Sequence, residues 1–337
     1  MGTAVYLELE AASRPRALEA SEAVLRSLRH SEQRLSTWID DSELAALNRQ
    51  PAGRELTLSP RLAQELQQVQ GCWSRTGGAF DPGIGRLLQL WDVRGAGRIP
   101  SDPEIRQALR PAGLGSLRLE ADRATRLDPD LVLEEGAFGK GAGLARVQQE
   151  LPQGWPEVDG LIDFGGQLLL LGPSAKRIGI AHPRHRGQVI LELELTAGSV
   201  ATSGNSERAL AVDGRPFSHI LDPRSGRPVP DFGSLTVIAV DPLWADCLST
   251  GLYVLGPEAA LSLGQALSDV EVLVVEAVAD GGLRVRATAG LEGRLHSLTP
   301  GLEMHFSAPP LALPVDPVPP TQASVPPSTT PSAVTVR

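Results

Sequence analysis

Apolar and polar positions alternate along "TAVYLELE" near the start of the chain, with Val5, Leu7 and Leu9 on one side, and this period of two predicts a first strand. Over residues 15 to 34 the spacing lengthens. Leu18, Val24, Leu25 and Leu28 recur at nearly helical intervals, so a helix is expected there. "DDSELAALN" places an Asp/Ser cap before Leu44 and Leu47 and predicts a second helix. Ser59-Pro60 gives a cap followed by proline at the first helical position, which predicts a helix through about residue 75, and Ser101-Asp102-Pro103 repeats the device. The later segments "GLIDFGGQLLLLG", "KRIGIAH", "VILELEL", "SLTVIAV" and "VEVLVVEA" are rich in Val, Ile and Leu and read as strands. Between the last two, "DPLWADCLSTGLYVLG" has an apolar face at helical spacing. Helices first and then many strands favour an α+β fold with a mixed or antiparallel sheet and flanking helices over a doubly wound parallel one.

Composition narrows the picture. With 337 residues and 42% apolar side chains, the chain can bury a substantial core. From residue 308 onward nine prolines, no aromatics and almost no charge mark an extended tail, leaving 1–307 as one continuous catalytic unit and 308–337 as a Pro-rich disordered tail. A net charge of -9 without a run of Lys or Arg argues against nucleic acid as a partner. The two cysteines, Cys72 and Cys247, have no paired spacing that would suggest a zinc site or a disulfide framework. No apolar stretch approaches the roughly 20 residues of a transmembrane segment, and "MGTAVYLELE" lacks the layout of a signal peptide. As written, a cytoplasmic location is expected; a missing N-terminal leader would make it periplasmic or membrane-anchored.

Four stretches combine glycine with acidic or hydroxyl side chains, and a fifth sets a carboxylate and a hydroxyl on one helix. "GGAFDPGIGRLLQLWD" surrounds Phe80 and Asp81 with glycines and a proline, either to let backbone approach a ligand or to enter a helix with Asp81 as its cap. "LEEGAFGKGAGLA" reads as a strand passing into a helix through Gly136, Gly139, Lys140 and Gly141, which is a phosphate-binding junction or a structural turn. "LIDFGGQLLLLG" reads as a strand interrupted by Gly165-Gly166, by a bulge or by a close approach of ligand. "ATSGNSER" followed by "FSHILDPRSGRPV" gathers hydroxyls, an amide, Arg208, His219 and Asp222. His219 suits a general base if Asp222 or a carbonyl holds its other ring nitrogen, while Asp222-Pro223 with Ser225-Gly226 is equally a simple turn. In "ADCLST", Asp246 and Thr250 stand four residues apart on one helix face, either as hard-oxygen ligands for Mg²⁺ or with Asp246 as a helix cap.

In this order the stretches "LSTWIDDSELAALN", "GAFDPGIGRLLQLWD", "LEEGAFGKG", "LIDFGGQLLLLG", "ATSGNSER", "SHILDPRSGRPV" and "ADCLSTGLYVLG" resemble the ApbE family, the Mg²⁺-dependent FAD:protein FMN transferases. The resemblance implies an α+β unit with a cleft for FAD, whose FMN half passes to a threonine or serine of an acceptor flavoprotein with release of AMP. It implies flavin contacts from Leu35, Trp38, Ala79, Phe80 and Asp81, and an FAD contact from Glu134, which stands where the family usually has Asp. Lys140 matches the family's Lys-Gly pair, and Asp163, Gly165 and Gly166 match a segment close to the nucleotide. Mg²⁺ would be held by the Ala137 carbonyl, Asp246 and Thr250, and His219 would be catalytic. Leu35, Trp38 and Cys247 replace the more common Met, Tyr and Ala. Two alternatives share this site: an FAD pyrophosphatase yielding FMN and AMP, and a non-catalytic FAD-binding protein.

Overall fold

In the computed structural model, which describes residues 3–110, 113–205, 209–212, 215–278 and 281–307, the alternating start of the chain becomes Val5–Glu10, the edge strand of an eight-stranded sheet. Across that sheet follow Asp159–Phe164, Gln167–Leu171, Gly198–Gly204, Gly233–Ala239, Val270–Ala277, Leu283–Ala287 and Met304–Phe306. Neighbours run antiparallel except the last two, which are parallel. Helices and strands in this arrangement bear out the α+β expectation. The tail beyond residue 307 and Ser206, Glu207 and Arg208 lie outside the described residues.

The helices are α1 (Arg14–Leu35), α2 (Glu43–Arg49), α3 (Pro60–Arg75), α4 (Gly85–Leu90), α5 (Asp102–Leu109), α6 (Gly139–Gly154), α7 (Pro242–Leu255) and α8 (Pro257–Ala266). Their starts follow the cap signals in the sequence. The Ser42 hydroxyl accepts from Ala45 N at 3.0 Å, and Ser59 Oγ accepts from Leu62 N at 3.3 Å, each supplying a partner to an amide that a first helical turn leaves without one. Glu104 reaches back to Ser101 N at 2.7 Å to complete a capping box on α5.

Burial on both faces of the sheet explains why its central strands are continuously apolar rather than alternating. In Gly233–Ala239, Leu235 and Val237 pack with α3 and α7, while Ile238 packs into a separate core beneath the three-stranded sheet of Lys176–His182, His185–Leu195 and Leu295–Ser297. A third cluster joins α1 and α6 to the edge of the main sheet through Val24, Leu28, Leu144, Ile162 and Phe164. Helix α7 therefore lies over the middle of the main sheet, and Ser203 Oγ of the sheet donates to Ser249 Oγ of the helix at 3.0 Å.

One expected strand resolves differently. "LIDFGGQLLLLG" is two strands joined by a tight turn, with Gly165 at φ +62° and Gly166 at φ +84°. Two successive left-handed residues are what a two-residue hairpin needs to match strand twist, so the glycines reverse the chain rather than bulge one strand.

Candidate functional site

Helix α7 is the element on which the glycine-rich motifs converge. Its N-cap is Asp241, which accepts from Leu243 N at 2.7 Å and Trp244 N at 3.2 Å. Asp246 is thereby excluded as the cap and stands inside the helix, 3% exposed.

At the first turns of α7, helix α6 crosses at a distance that only glycine allows. A Cβ on Gly141 would lie 2.5 Å from the Pro242 carbonyl oxygen and 2.7 Å from both Asp246 Cβ and Leu243 Cα. This approach lets Gly141 N–H donate to Asp246 Oδ2 at 2.8 Å, while Lys140 Nζ reaches Oδ1 at 3.2 Å. Burying a carboxylate is costly unless it is paired and hydrogen-bonded, and the Lys-Gly pair supplies both partners. The expected strand before this junction is absent: Val132 makes a single bridge to Ile84, and α6 is entered through a turn at 136–138.

Thr250 follows Asp246 by one turn, is half-buried, and its hydroxyl makes no hydrogen bond among the described residues. The next residue, Gly251, admits the loop after α3, since a Cβ there would come within 2.8 Å of both Phe80 Cβ and Thr76 Cγ2. Ala79 and Phe80 are buried in the core at this contact, as is Leu35, so each contributes packing. Asp81 does not cap α4, which Ile84 begins. Its carboxylate instead accepts from Gly83 N at 2.7 Å and from Leu114 N at 3.0 Å, pinning the loop to the segment after α5. Burial outweighs those bonds and pushes the Asp81 carboxyl up to about 6.

The 131–138 segment lies against this loop. Glu134 N donates to the Pro82 carbonyl at 2.8 Å, and Asn48 of α2 exchanges a pair of hydrogen bonds with Leu133 at 2.8 and 2.9 Å. Glu134 is buried; it accepts from Thr37 Oγ1 at 3.3 Å and pairs with Arg94, whose guanidinium carbon lies 4.8 Å from the centroid of the Trp38 ring. Burial, as the largest influence, raises the Glu134 carboxyl, and Arg94 opposes it. Ala137 is partly buried against the core, just before α6.

The Gly165-Gly166 turn is tied by Gly166 N donating to Asp163 Oδ1 at 2.7 Å. The next residue, Gln167, donates to the Pro242 carbonyl at 2.7 Å, the oxygen that also confronts Gly141. The segment that carries His219 is linked to the opposite end of α7 through its neighbour Ser218. His219 is half-buried, and the preceding Ser218 Oγ donates to Asn205 Oδ1 at 2.7 Å, whose amide donates to Tyr253 OH of α7 at 3.4 Å. Asp222 spends its carboxylate on Arg224, at 2.9 Å to the backbone N–H and 2.9 and 3.0 Å to the guanidinium, and its carbonyl accepts from Gly226 N at 2.8 Å. The Asp-Pro segment is therefore a turn as well as the mount of His219.

Lys140, Gly141 and Asp246 are in direct contact, Thr250 lies one turn on, and the Phe80 loop, the 131–138 segment and the hairpin turn abut the same helix or one another. Arg94, Glu135 and Tyr253 carry no signal of their own in the sequence, because their significance is contact with residues distant in the chain. A carboxylate and a hydroxyl one helical turn apart are hard oxygen donors of the kind that Mg²⁺ prefers, with water and phosphate oxygens completing its shell. Lys140 already occupies the carboxylate with a positive charge. Among the described residues no group of three or more His, Cys, Asp or Glu is placed to hold a metal ion by itself.

Residues 1–274 match the model of the ApbE family. The chain belongs to that family. It is 30% identical over 303 residues to the FAD:protein FMN transferase of Treponema pallidum (strain Nichols), a match covering 83% of this chain and 82% of that one. It is 28% identical over 265 residues to the enzyme of the same name from Vibrio cholerae serotype O1, covering 76% and 79%. Among solved structures, the ApbE protein of Thermotoga maritima superposes with a TM-score of 0.76 at 28% identity, covering 84% of this chain and 93% of that one. The apo flavinyl transferase ApbE of Pseudomonas stutzeri gives 0.73 at 26%, covering 87% and 97%.

Proposed function

We propose that this flavin transferase moves the FMN half of FAD onto a threonine or serine hydroxyl of an acceptor flavoprotein and releases AMP, with Mg²⁺ as its metal. The observation that carries the reading is the meeting of Lys140, Gly141 and Asp246 at the crossing of α6 and α7, with the Thr250 hydroxyl one turn away. Asp246, Thr250 and the Ala137 carbonyl would hold the metal. Bound there, Mg²⁺ would offset charge on the diphosphate and make AMP a better leaving group.

The chain's own groups account for the remaining tasks. An acidic protein must neutralise a diphosphate locally, and Lys140, on a flexible stem beside Asp246, supplies a positive charge there. His219 takes the proton from the acceptor hydroxyl as its oxygen bonds to the FMN phosphorus and the bond to the AMP oxygen breaks. Asn205, Ser218 and Tyr253 tether the His219 segment to the helix that bears Asp246 and Thr250. Trp38 offers an aromatic surface to the flavin, and Glu134 an acceptor at the same edge.

The test is to incubate the full chain with FAD, Mg²⁺ and a flavoprotein acceptor and to follow the acceptor's mass and the AMP released. An FMN adduct that requires both FAD and Mg²⁺, with one AMP per adduct, supports the reading. AMP release independent of acceptor would instead identify a pyrophosphatase, and stoichiometric FAD that never turns over would identify a binding protein.

A further inference from the structure

Trp38 is 70% exposed, yet its ring is not left to wander. The Arg94 guanidinium lies over the ring at 4.8 Å and is ion-paired with the buried carboxylate of Glu134. Thr37, adjacent to Trp38 in the chain, donates to Glu135 Oε2 at 2.8 Å and to Glu134 Oε2 at 3.3 Å. Ring, cation, carboxylates and hydroxyl thus form a closed circuit of contacts between three separate segments.

Each link limits the others. Arg presents a planar fork that can stack on an aromatic ring and bind a carboxylate at once, which a lysine point charge does less well. The ion pair fixes the guanidinium, the guanidinium covers one face of the indole, and the Thr37 bonds fix the backbone that carries it. A largely exposed tryptophan with one face so occupied has its other face available to stack on a flat aromatic ligand. Fixing it beforehand reduces the ordering cost of binding.

Building on the flavin-transfer reading above, we propose that Arg94 is a positioning residue for the flavin: it holds Trp38 as a stacking platform for the isoalloxazine ring of FAD and is itself held by Glu134. Glu134 is then one half of a matched pair with Arg94.

The experiment measures FAD affinity by calorimetry for the full-length wild type and for Arg94→Ala, Arg94→Lys, Trp38→Ala and the Arg94→Ala/Trp38→Ala double variant. Arg94→Ala is expected to raise Kd about five- to tenfold, and Arg94→Lys to recover only part of that loss, because a lysine keeps the charge but not the planar fork. In the Trp38→Ala background the same Arg94 change should add less than about twofold, because the two residues act as one unit. A Kd for Arg94→Ala within about twofold of wild type, or an equal factor in both backgrounds, overturns the proposal. Wild-type protein that neither binds FAD nor labels an acceptor would remove the functional reading and this inference together. Wild-type binding and labelling with independent mutational effects would remove this inference alone.

Discussion

Lys140 Nζ lies 3.2 Å from Asp246 Oδ1 across the crossing of α6 and α7, while the adjacent Gly141 N–H holds the other carboxylate oxygen at 2.8 Å. A lysine and a buried aspartate 106 positions apart in sequence are paired here because Gly141 lets two helices approach within backbone contact.

Replacing Asp246 with Ala removes the carboxylate expected to hold the metal and strands the Gly141 amide. Labelling of an acceptor is expected to fall about hundredfold or more, and calorimetric Mg²⁺ binding in the presence of FAD to disappear. Unchanged metal affinity would place the cation elsewhere.

Gly141→Ala tests the helix crossing itself. With backbone atoms 2.5 to 2.7 Å from the new methyl, the helices must separate, at a cost of about 1–3 kcal/mol. The thermal midpoint should drop by several degrees and labelling should fall with it, as measured by calorimetric melting and an FMN-transfer assay. A variant as stable and active as wild type would show that the close approach is dispensable.

His219→Ala should slow transfer about 10²- to 10⁴-fold while leaving FAD affinity nearly unchanged. Transfer at the wild-type rate would refute the assigned role.

Asp81 gives a pH signature. Its carboxyl, pushed up to about 6 by burial, binds a proton more tightly in the folded chain than in the unfolded one. Its contribution to stability is therefore fully present below the ordinary carboxylate pKa of about 4 and is lost as pH rises through about 6. Asp81→Asn removes this titration, so the melting temperature of the variant relative to wild type should climb between about pH 4 and 7. A difference that stays flat over that range would contradict the assignment.

Much of the framework is legible locally. Ser42, Ser59 and the Ser101-Glu104 pair announce helix starts because a cap is a contact across three residues. Elsewhere the deciding information is distant in the chain or geometric. Gly165-Gly166 fits both a bulge and a hairpin until the pairing of Gln167–Leu171 with Asp159–Phe164 settles it. Asp81 and Asp246 each match a cap by composition, but Ile84 and Asp241 hold those positions. Arg94 carried no local signal, since its partners Trp38 and Glu134 lie far along the chain on either side.

By itself the sequence determined the helices, the apolar strands and the residue types able to meet a phosphate, a hard cation and a transferable proton. Those follow from periodicity, capping and side-chain chemistry, which act over a few residues. Folding alone decided that Lys140 would neutralise Asp246, that Gly251 would admit the Phe80 loop, and that Arg94 would settle on Trp38. Such meetings depend on how closely backbones pack when the sheet and helices come together, and no short stretch of chain encodes that distance.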